Sequence, residues 1–254
     1  AAIATWQQAE FIRLGAAGAP TLPEGQNLRD YVYSWPLTSR CLTEQAIVAQ
    51  AYQDPNFPST ALVNMRGLAA AEYLLFYAGT DNACGPAVAI NAQGSWAALG
   101  AAELGERKRR YANVVTADVV VQAQAIHAAW AGPSGFGDRF AASGQGGVFA
   151  SDQAGLNALT DGLFYLEREV KDLKLGRPLG KYECPDPTCP TTVESQYARV
   201  ARTHIYNNLL GFERLYHGCE SAPDTGLDDL LRSIGAFAAA ENMTAGLEAA
   251  KAAV

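Results

Sequence analysis

The chain has 254 residues and a net charge of −7, with 49% apolar and 18% charged residues. This length fits one large domain or two smaller ones, and the apolar fraction is large enough to build a buried core. We expect no nucleic-acid partner, because a nucleic-acid-binding surface needs an excess of lysine and arginine that an acidic chain lacks. No apolar run in the sequence approaches the roughly 18–20 residues that a membrane span requires.

The first half of the chain predicts helices separated by turns rich in glycine and proline, judged by apolar spacing and capping residues. The predicted segments are 1–14, 27–33, 43–52 with Ser39 or Thr43 as N-cap, 59–78 with Ser59 or Thr60 as N-cap, and a region from 87 or 95 to 110. Because residues 1–14 predict an amphipathic helix rather than a leader, we interpret the chain as mature or trimmed. Membrane attachment through a missing N-terminal anchor is an alternative.

The second half also predicts helices. The predicted segments are 112–131, 151–174, 195–217 and 224–254, with a glycine-rich loop over 132–147 and a Pro/Cys-rich excursion over 175–192. No stretch alternates apolar and polar residues for long enough to predict a strand. We therefore predict an all-α fold of two helical-bundle domains, 1–110 and 111–254, divided where the basic cluster RKRR at 107–110 interrupts the apolar pattern.

The chain has five cysteines, and their spacing bears on whether the protein resides in an oxidising compartment. Cys184 and Cys189 enclose Pro-Asp-Pro-Thr, a spacing that can close a small disulfide-bonded loop. A zinc site would usually offer a second Cys or His pair at short spacing, which the sequence lacks. We therefore favour disulfides over a metal site, which predicts an oxidising compartment and leaves one cysteine unpaired within the chain.

The segment 67–77, GLAAAEYLLFY, places a single charge, Glu72, in an otherwise apolar helix. Gly67 and the three alanines leave room for another backbone or a ligand to approach closely. A buried carboxylate is costly unless it is paired or hydrogen-bonded, so a buried Glu72 needs a donor. The alternative is that Glu72 faces water on a half-exposed helix.

Several segments together resemble one protein family. The segment 66–76, RGLAAAEYLLF, is similar to the signature of the imelysin-like family, G-x-H-x-x-E followed by an aromatic residue and leucines. Three further segments agree with it, and the four together span most of the chain: 29–37 (RDYVYSWPL), 171–180 (KDLKLGRPLG) and 207–212 (NNLLGF). Gly67 and Glu72 stand where the family has its glycine and glutamate, but Ala69 stands in place of the histidine.

The resemblance implies two all-α bundles related by duplication, with a site at their junction near the signature helix. It also implies a periplasmic or outer-membrane-associated location in a Gram-negative bacterium and a link to iron uptake. Family members are classified as metallopeptidases partly because His and Glu three positions apart on a helix can share a metal. Ala69 supplies no ligand, and one carboxylate is a poor transition-metal site. We expect no cofactor, with a metal ion at Glu72 as the alternative.

The leading hypothesis is a binding protein without peptidase activity, whose partner in the interdomain cleft is a small ligand, an ion or another protein. The alternatives are a metallopeptidase of the imelysin family and a structural module with a decayed site. The sequence has no H-E-x-x-H motif and nominates no Ser/His/Asp combination. A donor for Glu72 is expected from Arg66 or from segment 29–37. The predicted binding residues are Glu72, Gly67, Ala69, Arg66, Arg29, Tyr33, Trp35, Asp161 and Ser195.

Overall fold

The computed structural model of the protein describes residues 28–131, 133–218 and 225–254, without the side chains of Leu28 and Arg29. Helices and turns make up these ranges, and no strand occurs within them. The predicted all-α fold class is confirmed, while the duplication of two domains stays a prediction. The predicted helix over 1–14, the predicted cap Asp224 and Cys219 lie outside the described residues.

Two compact units divide the described residues. Unit A comprises 28–131, 133–135 and 197–199, and unit B comprises 136–196, 200–218 and 225–254. A continuous helix passes residue 110, where the sequence predicts a domain boundary, and the packing units divide between 135 and 136. The units describe packing alone, so the division into domains 1–110 and 111–254 stays a prediction.

Unit A consists of α-helices joined by short turns. These helices are α1 (Leu28–Val32), α2 (Arg40–Ala49), α3 (Phe57–Thr60), α4 (Gly67–Phe76), α5 (Ala89–Ala92) and α6 (Ala101–Ala131), with 3-10 turns at Ala51–Gln53 and Val63–Met65. Ser39 Oγ accepts a hydrogen bond from the backbone N–H of Leu42 at 3.4 Å, so Ser39 is the N-cap of α2. Of the two N-caps predicted for this helix, the structure therefore selects Ser39.

The core of unit A forms where α4 packs along α6. Small side chains allow a close approach, and Ala70 and Ala71 of α4 are almost completely buried. From α6, the fully buried Tyr111 stacks on Tyr52 with ring centroids 5.2 Å apart and meets Phe57 edge-on at 5.3 Å. Each such aromatic pair adds about 0.5–1.5 kcal/mol beyond the burial of its area. This packing fixes α4, the helix that contains the signature segment.

Unit B also contains only helices and turns among its described residues. Its elements are α7 (Phe136–Ala141), α8 (Asp152–Asp161), a π-helix (Leu166–Gly176), α9 (Ala201–His217), α10 (Leu227–Ser233) and α11 (Phe237–Ala253), with 3-10 turns at Gly162–Phe164 and Pro190–Thr192. The buried Lys174 of the π-helix contacts Glu194 Oε1 at 3.0 Å and Asn208 Oδ1 of α9 at 2.8 Å. Lys174 therefore links the π-helix to α9 and to the turn that precedes it.

Several predicted element bounds differ from those of the structure. The prediction of one helix over 59–78 was wrong, because Ala61 and Leu62 are extended and Gly67 has a φ of 75°. The region predicted helical from 87 or 95 contains only the short α5 before α6 begins at Ala101. The loop predicted over 132–147 contains α7, whose Phe136 is buried and therefore packed rather than solvated.

Two disulfides join Cys41 to Cys84 and Cys184 to Cys189. The prediction that Cys184 and Cys189 close a disulfide loop is confirmed. Because disulfides persist in oxidising compartments, both bonds are consistent with an extracellular or periplasmic protein. Within the described ranges, every helix is too short or too polar to cross a bilayer.

A buried ion pair joins the residue before α4 to the middle of α6. Arg66 Nε lies 3.0 Å from Asp118 Oδ2, and a second guanidinium nitrogen contacts the same oxygen. The two side chains are only 3% and 5% exposed. Arg66 also lies over the Tyr31 ring, 4.3 Å from its centroid, and Gln122 donates to Asp118 Oδ1 at 3.1 Å. The pair is therefore enclosed and hydrogen-bonded on both sides.

We predict that Asp118→Ala lowers the free energy of unfolding by about 3–5 kcal/mol, because it leaves the Arg66 charge buried without a counter-charge. Urea unfolding followed by circular dichroism measures the change. Glu106→Ala is the control, since Glu106 pairs with Arg109 and Arg110 on the surface and such pairs contribute little. Equal losses in the two variants would contradict the importance of the buried pair.

Candidate functional site

Gly67 begins the signature helix and allows another backbone segment to lie against it. Its φ is 75°, and a Cβ added to it would lie 3.1 Å from the carbonyl oxygens of both Tyr31 and Val32. The neighbouring Ser34 hydroxyl donates a 2.7 Å hydrogen bond to the carbonyl of Arg66. The expected close approach of a backbone at Gly67 is therefore present, and glycine is the residue that both the conformation and the space require.

Ala69 occupies the position of the family histidine and is buried in the helix packing, with 9% exposure. Its methyl group has no atom that could bind a metal or exchange a proton. Position 69 therefore contributes a packing contact within unit A, and of the two signature positions only position 72 carries a polar side chain.

Glu72 receives its hydrogen bonds from backbone amides. Its side chain is half-buried, and Oε1 accepts from the N–H of Tyr197 at 2.8 Å and of Ala198 at 2.9 Å. Hydrogen bonds to an ionised acceptor are roughly twice as strong as neutral ones. Oε2 has no hydrogen-bond partner among the residues that the structure describes. The donor expected for Glu72 is thus present, but it is not Arg66 or segment 29–37.

These two bonds explain why the helix predicted over 195–217 begins only at Ala201. Ser195 and Arg199 have left-handed backbone conformations, with φ of 51° and 58°, so the chain turns between them. Inside this turn the N–H groups of Tyr197 and Ala198 bond to Glu72 instead of to helix carbonyls. The prediction of helix from residue 195 was therefore wrong, because a residue 125 positions away provides the acceptor.

Three tyrosines surround this turn. The Tyr197 ring meets Tyr73 edge-on at 5.6 Å and Tyr77 at 5.1 Å, and Tyr73 stacks on Tyr77 at 5.4 Å. Tyr73 is buried, whereas Tyr77 and Tyr197 remain half-buried. We call these three residues the tyrosine cluster. It presents two partly accessible rings beside the segment that Glu72 holds.

The sealed carboxylate of this region is Glu44, a residue that the sequence analysis missed. Glu44 is completely buried, and its Oε1 accepts from Arg40 Nε and from the Tyr73 hydroxyl, each at 2.7 Å. Its Oε2 accepts from the N–H of Ala83 at 2.7 Å. Burial, and then the hydrogen bond to Glu44, raise the pKa of Tyr73 far above its usual value. The available signal was the i, i+4 spacing of Arg40 and Glu44 within an apolar helix.

Two cations lie beside the tyrosine cluster. The Arg40 guanidinium is 4.1 Å from the centroid of the Tyr77 ring and donates to the carboxylate of Asp81 at 2.8 Å. Lys108 Nζ lies 4.9 Å and 5.0 Å from the centroids of Tyr73 and Tyr77 and donates to the Tyr77 carbonyl at 3.1 Å. Such cation–π contacts favour fixed ring positions. Burial, followed by the nearby Arg40 charge, lowers the pKa of Lys108.

The other predicted binding residues lie in several places. Arg66 pairs with Asp118 in the core, and the rings of Tyr33 and Trp35 lie 6.5 Å apart in the segment after α1. Asp161 is exposed at the end of α8 in unit B, and Ser195 of unit B contacts His204. The side chain of Arg29 is outside the described part of the structure. Within unit A, the signature segment therefore combines Gly67, Ala69 and Glu72 with the tyrosine cluster.

The metal that the family signature implies does not fit the residues at this position. Ala69 has no donor atom, and Glu72 Oε1 already accepts two N–H bonds. Among the described residues, no group of three or more His, Cys, Asp or Glu side chains is arranged to hold a metal ion. Of the two signature side chains that would share a metal, this chain keeps the glutamate and lacks the histidine.

We predict that Gly67→Ala lowers the free energy of unfolding by about 1–3 kcal/mol, because an L residue with positive φ is strained and its Cβ crowds two carbonyl oxygens. Gly105→Ala is the matched control. Gly105 lies inside α6 with nothing within 4 Å of an added Cβ, so alanine should stabilise that helix by about 0.5–1 kcal/mol. Urea unfolding of both variants tests these opposite signs, and a stabilised Gly67→Ala variant would contradict the requirement.

The comparison with known families gives a match over the whole sequence. The model of the imelysin family, peptidase M75, matches residues 1–254. No curated protein and no solved structure shows a match to the chain. Because the family model matches all 254 residues, the chain belongs to the imelysin family.

Proposed function

We propose that this imelysin-family chain is a binding protein linked to iron uptake, without peptidase activity, and that Glu72 contacts its ligand. One observation carries the proposal. Oε1 of Glu72 is held by the N–H groups of Tyr197 and Ala198, while Oε2 has no hydrogen-bond partner in the described part of the chain. A carboxylate whose orientation is fixed in advance loses little freedom on binding, so its remaining oxygen is a preorganised acceptor.

The tyrosine cluster supports a ligand contact beside this carboxylate. Tyr77 and Tyr197 are half-buried, so each ring keeps accessible surface, and the backbone of Tyr197 is the segment that Glu72 holds. Arg40 and Lys108 fix the Tyr77 ring from within unit A. A fitting ligand presents a cationic or hydrogen-bond-donating group to Glu72 and a flat apolar surface to the rings.

The absence of peptidase activity is proposed from the chemistry of position 69. A metallopeptidase needs a bound metal that activates water, and the family signature offers a histidine and a glutamate for it. In this chain the side chain of Ala69 is a buried methyl group, and one carboxylate oxygen of Glu72 accepts hydrogen bonds from two backbone amides. Both features support a packing role for Ala69 and a structural and ligand-binding role for Glu72, rather than a catalytic metal shared by the two positions.

The proposed location is the periplasm or the outer membrane of a Gram-negative bacterium. The two disulfides support an oxidising compartment. The link to iron uptake comes from family membership, so the first ligands to test are compounds that contain iron.

The test measures the thermal midpoint of the purified chain with haem, which combines iron with a flat apolar ring, and with ferric citrate as the comparison that lacks such a surface. Saturating ligand at about 100 times its Kd stabilises a protein by about 2.7 kcal/mol, which gives a measurable shift. Glu72→Gln keeps a carbonyl oxygen for the two amides but replaces Oε2 by a donor, so we expect its unliganded midpoint to be retained and its affinity to fall at least about tenfold. For Glu72→Ala we expect both a lower unliganded midpoint and a lower affinity, because the variant has neither oxygen.

The control is Glu103→Gln, since Glu103 is an exposed carboxylate of α6 that pairs with Arg107 on the surface. Its affinity for the iron compound should equal that of the wild type. Unchanged affinity in both Glu72 variants would remove Glu72 from the binding site and favour the structural module with a decayed site. Cleavage of a protein substrate that a chelator abolishes would contradict the proposed lack of peptidase activity.

A further inference from the structure

Ser195 and His204 of unit B form a close pair that no described function uses. Ser195 lies in the turn before α9 and His204 in the first turn of that helix, and Ser195 Oγ lies 3.0 Å from His204 Nε2. Both side chains are half-buried, so each is partly accessible. A hydroxyl within hydrogen-bond distance of an imidazole nitrogen is the arrangement from which serine nucleophiles are activated.

The backbone at Ser195 supports more than a packing role. Its φ is 51°, a left-handed conformation that a residue with a side chain adopts at a cost of about 1–3 kcal/mol. Such conformations persist only where the surrounding structure holds them, and they are concentrated at functional sites. The serine nucleophile of α/β-hydrolases also lies on a strained turn before a helix.

Lys174 holds both members of the pair in place. It contacts Glu194, the residue before Ser195, at 3.0 Å, and it contacts Asn208, one helical turn after His204, at 2.8 Å. The side chains of Lys174 and Glu194 are only 1% and 2% exposed, so this clamp is shielded from water. Ser195 and His204 are therefore fixed relative to each other by a buried ionic contact.

His204 is in the protonation state that a general base needs. Burial, and then the positive charge of Lys174, lower the pKa of His204 below its usual value. The ring is therefore neutral at pH 7, with Nε2 free to accept the serine proton when Nδ1 carries the hydrogen. Lys174 is itself paired with Glu194, so the charges that face His204 from the π-helix and from the turn partly cancel.

We infer that Ser195 and His204 form a nucleophile–base pair that hydrolyses carboxylic esters with small acyl groups and good leaving groups. Ser195 Oγ forms a bond to the acyl carbon while its proton passes to His204 Nε2. The bond from carbon to the alkoxy oxygen then breaks, and His204 returns the proton to the departing alcohol. Water hydrolyses the acyl-serine in the same way, so ester and water give acid and alcohol.

The expected substrates are activated esters rather than peptides. His204 has no carboxylate partner among the described residues, so the pair lacks the third group that orients the base in a triad. The backbone N–H of Gln196 also has no acceptor in the described part of the chain, and the N–H after a nucleophile is one that can stabilise the oxyanion. One such donor suits reactive esters better than amides.

The experiment treats the purified chain, disulfides intact, with a fluorophosphonate probe and measures hydrolysis of p-nitrophenyl acetate. In labelling, Ser195 Oγ displaces fluoride from phosphorus and the proton leaves through His204. We expect peptide mass spectrometry to place the adduct on Ser195.

Ser195→Ala should abolish labelling and hydrolysis. Ser195→Gly should do the same without strain, because glycine tolerates the left-handed backbone. His204→Gln should lower the rate by about 10²-fold or more.

The matched controls are Ser233→Ala, an exposed serine of α10, and His127→Gln, an exposed histidine of α6. Both should keep the wild-type rate.

The wild-type rate should rise with pH as His204 loses its proton and level off by neutral pH, and His204→Gln should lose this dependence. An adduct on another serine, no adduct at all, or hydrolysis that survives in folded Ser195 variants would overturn the inference. None of these results bears on the binding role of Glu72.

Discussion

The hydrogen bonds from the Tyr197 and Ala198 amides to Glu72 are the interaction on which the account of this protein depends. Glu72 Oε1 is the acceptor for two N–H groups in a segment that the sequence predicts to be helical. Because the carboxylate accepts them, the segment turns, α9 begins at Ala201, and the Tyr197 ring packs against Tyr73 and Tyr77. The Glu72 side chain therefore holds the local backbone at the point where Tyr197 joins the tyrosine cluster.

The two carboxylates of this region have different environments and different roles. Glu44 is sealed, with both oxygens occupied by Arg40, Tyr73 and the Ala83 amide, so its negative charge is fully compensated within unit A. Glu72 is half-buried and uses one oxygen for the fold, which leaves the other available. The histidine position beside it is a buried alanine. The signature segment has thus kept the acceptor and the packing but not the second metal ligand.

Local patterns predicted the parts of the fold that local interactions determine. The Ser39 cap follows from the residues next to it, and the all-α class follows from apolar spacing. The disulfide between Cys184 and Cys189 follows from their short spacing and from the two prolines between them, which restrict the loop. Local patterns did not predict the break between α3 and α4, because Gly67 lies against the carbonyl groups of the distant residues Tyr31 and Val32. They also did not predict the turn at 195–200, because its acceptor, Glu72, is 125 residues away from Tyr197. The buried role of Glu44 was missed because two of its three partners, Tyr73 and the Ala83 amide, lie far from it in the sequence.

The most direct test of the central claim is the hydrogen exchange of the Tyr197 and Ala198 amides, measured by NMR in the wild type and in Glu72→Ala. We expect both amides to be protected in the wild type. Their exchange should be about tenfold faster or more in the variant, while amides in the middle of α6 exchange as before. Equal exchange at Tyr197 and Ala198 in the two proteins would contradict the claim that Glu72 holds this turn.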